Sequence, residues 1–143
     1  MPLHDTQPLT EGTVAYFVHL HLDTAKQIAK HAHREQHWVY EVEGKPRPML
    51  ILSKPRSERG QHWYRVSPLT TKGLNEQGAC KPRHVRIGTL CNQDSESYVI
   101  AEVYNVPENL VHLVHGRSPV IGTIDRLAFG NILKIVQNVL LRS

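Results

Sequence analysis

The sequence predicts an α+β protein, in which a small, mostly antiparallel β-barrel is followed by one C-terminal helix. Short segments rich in β-branched and aromatic residues follow each other closely, with turn residues between them. The segment 124–141 is the clearest stretch with a long helical period. The sequence lacks the alternation of strands and helices that would indicate a parallel sheet. We therefore expect a single domain over residues 1–143.

The strands are predicted from alternation and from their boundaries. In Val14–Leu22, apolar residues alternate with a second face that ends in His19 and His21. We expect a polar turn at 56–60 and a loop at 71–82, because both are rich in glycine and polar residues. The other predicted strands are Trp38–Val42, Met49–Leu52, His62–Val66, Val85–Ile87 and Ser97–Val106. Gly44 ends the first of these strands, Pro68 the third and Pro107 the last.

An insertion at about 23–44 separates the first strand from the next. Asp23 has the position of an N-cap for a short polar helix that reaches about His37. Ile28 is the only large apolar residue of that helix, so we expect an exposed, mobile lid. In the alternative, Trp38 and Tyr40 anchor the insertion to the barrel as a permanent strand.

The C-terminal helix is expected to run from Ile124 to Leu141, with Thr123 as its cap. Its apolar arc is broad for a helix that lies on a protein surface. We therefore expect burial against the barrel and against a second subunit, in a homodimer. The apolar positions are Ile124, Ala128, Ile132, Ile135, Val136, Val139 and Leu140.

Composition and charge limit the function classes. The formal net charge of +4 and the pI near 9.2 are compatible with a polyanionic partner. The two cysteines, Cys80 and Cys91, form no CxxC pattern, and we expect reduced thiols. No window predicts a membrane span, and Met1–Asp5 lacks the layout of a signal peptide. We therefore expect a cytoplasmic protein without a membrane partner.

Several segments, in order, carry a resemblance to a known family. Gly12–Phe17 is similar to an opening strand with a glycine, Arg47–Ser53 to an Arg-Pro before an apolar strand, and Val66–Lys72 to a strand followed by a Pro-x-Thr turn. Ser97–Val103 resembles a strand with a late acidic residue, and Gly122 with Thr123 precedes the last helix. Over roughly residues 12–141 the chain resembles the MazF/PemK toxin family.

The resemblance implies an SH3-like barrel of the CcdB/PemK type, a homodimer and a cognate antitoxin protein as partner. It also implies a metal-independent endoribonuclease without a cofactor that cleaves single-stranded RNA, with Arg47 and Thr70 as catalytic residues. The residue types suit this chemistry, because charge grows on the phosphate oxygens when a ribose 2′-hydroxyl attacks the phosphorus. An arginine fork and a hydroxyl donor can stabilise that charge.

Further site residues follow from the same expectation. The general base stays open between His19, His21, His33 and Glu102, since an imidazole or a carboxylate could take the 2′ proton. Basic residues after the Pro-x-Thr turn are candidates for contacts with RNA phosphates, and they are Lys72, Arg83 and Arg86.

Other functions are compatible with the sequence. His33 and His37 would lie one helical turn apart, which is a zinc-binding spacing, but the complete motif of a zinc hydrolase is missing, and we predict no metal site. A second function is a noncatalytic module that binds RNA or protein. It is favoured by Thr13, where many family members have an acidic residue, and by Asn105, where many have an arginine. The third alternative is a toxin that binds a gyrase subunit and cleaves nothing.

Overall fold

A computed structural model of the chain describes residues 9–30, 38–89, 95–111 and 118–142. These residues form a mostly antiparallel sheet and one C-terminal helix, as the sequence predicts. The strands are β1 (Thr13–Lys30), β2 (Trp38–Ile51), β3 (Arg56–Glu58), β4 (Gln61–Thr70), β5 (His84–Gly88), β6 (Ser97–Ile100), β7 (Tyr104–Pro107) and β8 (Val120–Thr123), and the helix α1 spans Arg126–Arg142.

Strand β4 holds the sheet together. The main order is β5-β6-β4-β2-β1-β8, and β3 and β7 also pair with β4. The second half of β4 lies between β2 and β6, with Ser67 opposite Leu50 and Leu69 opposite Val99. Its first half lies between β3 and β7, where Trp63 is paired on both sides. One strand therefore contacts four others.

Apolar residues are buried on both faces of the sheet. One cluster contains Leu50, Leu69 and Val99 and packs against α1 through Ile132 and Val136. The other contains Phe17, Met49, Ile51, Tyr64 and Val66, and the rings of Phe17 and Tyr64 meet edge to face. Burial on both faces explains the unbroken apolar run at 49–52, because successive strand residues point to opposite sides.

The helix α1 begins later than predicted. Thr123 is the last residue of β8, so its expected role as the cap is wrong. The carbonyl of Asp125 accepts the first helical hydrogen bond, from the amide of Phe129 at 2.9 Å. Ile132 and Val136 are buried, whereas Leu127 is 74% exposed on another side of the helix.

The predicted helix in the insertion is wrong over the residues that the structure describes. Residues 24–30 continue β1 and pair with β2, with Lys26 opposite Glu41 and Lys30 opposite Trp38. The register shifts between His21 and Lys26, which is where the helix was expected to begin. Pairing with a facing strand outweighs the weak helical preference of this segment. Residues 31–37 lie outside the described part of the chain.

Other strand boundaries also differ from the predictions. Strand β2 continues through Gly44 and joins two predicted strands, the turn expected at 56–60 contains β3, and β4 runs past Pro68. The strand predicted over 97–106 is divided into β6 and β7. Tyr104 lies opposite Val66 and Val99 opposite Leu69, so five residue steps face only three on β4. The irregular segment at 101–103, which contains Glu102, takes up the two extra residues.

Candidate functional site

Arg47 is held by the backbone of β4. It lies in β2 opposite Phe17 and is half-buried. Its Nε donates a hydrogen bond to the carbonyl of Leu69 at 3.1 Å. This bond fixes the plane of the guanidinium and leaves four N–H groups on the two terminal nitrogens. Between described side chains, the ion pairs are Arg56–Glu58 and Arg86–Glu96, and Arg47 takes part in neither.

Thr70 ends β4 beside Arg47. Its backbone lies opposite Tyr98 of β6, and its hydroxyl oxygen accepts a hydrogen bond from the amide of Lys72 at 3.1 Å. A hydroxyl group that accepts this bond still has its own proton to donate. The turn therefore orients the Thr70 hydroxyl while it keeps a donor for a ligand.

The two residues that the sequence singled out line one pocket. Its volume is about 260 Å³, several times the roughly 30 Å³ of one water molecule in the liquid. The guanidinium and the hydroxyl groups make it suitable for an anionic group with several acceptor oxygens. The lining residues are Arg47, Pro48, Leu69, Thr70, Thr71 and Ser97.

One wall of this pocket depends on close packing at Gly73. The backbone of Gly73 is buried against the ring of Tyr98, and a Cβ atom at this position would overlap the ring. The loop that follows is closed by its own hydrogen bonds, since the side-chain oxygen of Asn75 accepts from the amides of Gln77 and Ala79, both at 3.0 Å. The amide of Lys81 also donates to the Gly73 carbonyl at 2.8 Å. Thr71 therefore sits on a structured loop.

Glu102 and Tyr104 form a second polar group, at the start of β7. The Tyr104 hydroxyl donates to Oε2 of Glu102 at 2.8 Å, and the Glu102 carbonyl accepts from the Ser67 hydroxyl at 2.6 Å. The hydrogen bond to Glu102 raises the pKa of Tyr104, with smaller contributions from burial and from the carboxylate charge, and the positive charge of Arg47 opposes this rise.

Among the histidine candidates, only the side chain of His19 is described. Its ring lies 5.9 Å from that of Tyr104, between centroids. The backbone of His21 pairs with Glu43 in the hairpin, and His33 lies outside the described residues. Of the four candidates for the general base, Glu102 and His19 are the two whose side chains contact Tyr104, and neither of them lines the pocket at Arg47.

A second pocket, of about 290 Å³, is lined in part by Tyr104 and is mostly apolar. Its walls come from β1, β2, β7 and the 3-10 turn Glu108–Leu110. The lining residues are Val18, His19, Leu20, Met49, Tyr104, Asn105, Val106, Pro107 and Leu110.

The three basic candidates have different surroundings, and none of them lines the pocket at Arg47. Lys72 is exposed and follows Thr71 directly. Arg86 is paired with Glu96, and the hydrogen bond to that carboxylate raises the arginine pKa. Arg83 has a φ of 62°, and its carbonyl accepts from the amide of Ala101 at 2.7 Å. Lys72 is the best placed to meet a ligand that leaves the pocket.

Sequence reasoning missed Tyr104 and Ser97. A signal for Tyr104 was present, because residues 102 and 104 share one face of a strand and a tyrosine beside a glutamate can bind it. Ser97 gave no such signal, since it lines the pocket only through the pairing of β6 with β4.

Within the described ranges, no three histidine, cysteine or acidic side chains are grouped as metal ligands. His31 and His37, like His33, lie outside these ranges. No helix in the described part of the chain has the length and apolar character needed to cross a membrane. Comparison with known protein families and with curated proteins gives no match.

Proposed function

We propose that this chain is a metal-independent endoribonuclease for single-stranded RNA and the toxin of a toxin–antitoxin pair. The observation that carries the proposal is the shared pocket of Arg47 and Thr70. Residues 23 positions apart in the sequence converge on one cavity of a size and charge that suit a phosphate group. The antiparallel sheet with its C-terminal helix is compatible with the SH3-like barrel of the MazF/PemK type, and we include closure of that barrel in the proposal.

The residues have distinct roles in the proposed reaction. The ribose 2′-oxygen forms a bond to phosphorus, the bond from phosphorus to the 5′-oxygen breaks, and the products are a 2′,3′-cyclic phosphate and a 5′-hydroxyl. The terminal nitrogens of Arg47 and the hydroxyl of Thr70 donate to the nonbridging oxygens, where negative charge grows. Because the Leu69 carbonyl already fixes the guanidinium, little reorganisation is needed in the transition state.

Glu102 is our choice for the general base. The proton of the 2′-hydroxyl would pass to its carboxylate, and the 5′-oxygen would take a proton from solvent. Tyr104 supports this role, since its hydrogen bond orients the carboxylate. His19 is the alternative base, because its ring lies beside the same tyrosine.

The test is cleavage of a labelled single-stranded RNA in excess EDTA. Arg47→Ala should lower the rate by about a hundredfold or more, the usual effect of removing a preorganised donor. Arg47→Lys should recover little, because an ammonium lacks the planar fork. Thr70→Val should reduce the rate and Thr70→Ser should restore most of it. Arg126→Ala, which removes an exposed arginine from α1, is the matched control.

Two results would reject the proposed mechanism. Cleavage that disappears in EDTA and returns with zinc would move the chemistry to a metal site. Equal activity of the wild-type protein and Arg47→Ala would indicate a contaminating nuclease. RNA binding without cleavage by the wild-type protein would instead favour the noncatalytic module, for which the apolar pocket beside Tyr104 offers a contact surface.

A further inference from the structure

The three-stranded part of the sheet formed by β3, β4 and β7 has an outer face that the proposed reaction does not use. Tyr64 and Val66 are 2% and 0% exposed, and they point into the core. Because strand residues alternate, Trp63 and Arg65 point to the opposite side. Arg65 is exposed and Trp63 is half-buried. We call this surface the Trp63 face.

Cross-strand pairing adds neighbours to these two side chains. Trp63 lies opposite Arg56 on one side and opposite Pro107 on the other. Arg65 lies opposite Asn105. Directly paired residues have their side chains on the same face, about 5 Å apart. The Trp63 face therefore contains the Trp63 indole with Arg56 beside it, and Arg65 two residues along β4 with the exposed Asn105 beside it.

Positive charge is concentrated in this hairpin. Residues 54–65 contain four basic side chains and one carboxylate, Glu58, so their net charge is +3, whereas the whole chain has a net charge of +4. The Arg56–Glu58 pair has a separation of 3.9 Å, and its side chains are 55% and 59% exposed. Such an exposed pair is weak. The basic residues are Lys54, Arg56, Arg59 and Arg65.

We infer that the Trp63 face binds single-stranded RNA, with one base stacked on Trp63 and the neighbouring phosphates on Arg56 and Arg65. An aromatic ring within a positively charged surface is the usual arrangement for single-stranded nucleic acids, because every base has a π face and every linkage has a charge. A duplex keeps its bases stacked on each other, so it cannot use the indole in this way.

The position of β7 connects this face to the pocket at Arg47. Tyr104 is the first residue of β7 and lines a pocket with Met49, which lies two residues from Arg47 in β2, and Pro107, beside Trp63, is the last residue of β7. Tyr104 and Pro107 are about 10 Å apart along the strand. Among described residues, β7 pairs only with β4, so its other edge is not covered by another strand. An RNA strand that crosses this edge reaches both sites, and in this respect the inference rests on the proposed function.

The experiment measures binding of a fluorescein-labelled 2′-O-methyl oligouridine of about twelve nucleotides, comparable to the site size of known single-strand binders. It cannot be cleaved, because its 2′-oxygen has no proton to lose. Trp63→Ala should raise the Kd by about tenfold or more, and Trp63→Phe should restore much of the affinity, since each stacked base contributes substantially. Lys134→Gln, at an exposed position of α1, is the control for a lost charge.

A salt titration tests the phosphate contacts. For Arg56→Gln with Arg65→Gln, the slope of log Kd against log salt concentration should fall by about 1.4, because each contact with a single strand contributes about 0.7. In a Trp38→Phe background, Trp63 is the only remaining tryptophan, and RNA should quench its fluorescence. Circular dichroism checks that each variant is folded. If Trp63→Ala is not folded, the salt titration of the arginine variant and the quenching of Trp63 fluorescence decide whether RNA binds this face.

The outcomes separate this inference from the proposed function. Unchanged Kd values for the Trp63 and arginine variants overturn the inference, and normal cleavage in the same proteins would leave the nuclease proposal standing. Binding that depends on Trp63 in a protein that never cleaves supports the inference and rejects the nuclease. In a competition experiment, duplex RNA and an unlabelled single strand each displace the labelled oligonucleotide. If the duplex does so at an equal or lower concentration than the single strand, the inference is also overturned.

Discussion

Arg47 and Thr70 each depend on a backbone group for their orientation. The Leu69 carbonyl fixes the guanidinium of Arg47, and the Lys72 amide fixes the hydroxyl of Thr70. Both backbone groups lie within three residues of each other at the end of β4. The sequence indicated these two residues through the family resemblance, in which Arg47 belongs to the Arg-Pro segment and Thr70 to the Pro-x-Thr turn. It could not indicate the Leu69 carbonyl as the partner of Arg47, because that contact depends on the pairing of β2 with β4.

At the same scale, Tyr104 should make stability depend on pH. Its pKa is raised above the ordinary value of 10, first by the hydrogen bond to Glu102 and then by burial. The folded state therefore holds the proton more tightly than the unfolded chain does. This contribution is fully present below about pH 10, and it is lost as the pH rises through the higher folded pKa.

The comparison is between wild type and Tyr104→Phe in urea unfolding from pH 8 to 11. The free energy of unfolding should fall with rising pH above 10 in both proteins, because burial also raises the pKa of Tyr64. The fall should be shallower in Tyr104→Phe. Identical pH slopes in the two proteins would mean that the Glu102 hydrogen bond is absent in solution.

Gly73 is the second residue with a measurable role. Gly73→Ala should destabilise the fold by about 1–3 kcal/mol, the usual cost of overpacking, because the new methyl group overlaps the Tyr98 ring. It should also lower RNA cleavage, since the loop that carries Thr71 would move.

Gly130→Ala is the control for this substitution. Apart from its own turn of α1, no atom of the described residues lies within 4 Å of a Cβ at Gly130, so alanine at this helical position should stabilise by up to about 1 kcal/mol. Thermal and urea unfolding of both variants give the comparison. A Gly73→Ala protein as stable as wild type would contradict the close packing on Tyr98.

Among the elements, the hairpin of β1 and β2 shows the limit of sequence reasoning. The segment 24–30 has an acceptable helical composition and a good cap in Asp23, and nothing local reveals that residues 38–41 lie opposite. The strand prediction succeeded where the pattern was local, as for β5 and the first half of β4. It failed at 101–103, where the two extra residues are defined only by the facing β4.

Hydrogen exchange tests the state of this hairpin in solution. Because residues 26–30 pair with residues 38–41, we expect their inward amides to exchange slowly in the free protein, as in the alternative in which Trp38 and Tyr40 belong to a permanent strand. The amides of the exposed loop residues Glu76 and Gln77 give the fast reference. Fast exchange at 26–30 that slows when RNA is added would instead support the lid that the sequence predicts.

At the scale of the whole molecule, the homodimer stays a prediction, which Leu127 of α1 allows us to test. Leu127 is 74% exposed, although Ile132 and Val136 of the same helix are buried in the core. Light scattering at tens of micromolar, where stable interfaces persist, should therefore show a dimer. Leu127→Glu should shift it to monomer, whereas Gln137→Glu, which makes the same charge change at an exposed position, should not. A monomeric wild-type protein would remove the dimer from the proposal.

The pairing of β4 with four strands also determines when the proposed activity could begin during protein synthesis. A growing chain contains Arg47 and Thr70 well before it contains Ser97, the last residue that lines their pocket. The Tyr104 hydroxyl, which orients Glu102, is made later still. A ribosome that translates this protein therefore carries both donors before the cavity and the base are complete. If the chain cleaves RNA as proposed, its own message is protected at least until Ser97 has been made.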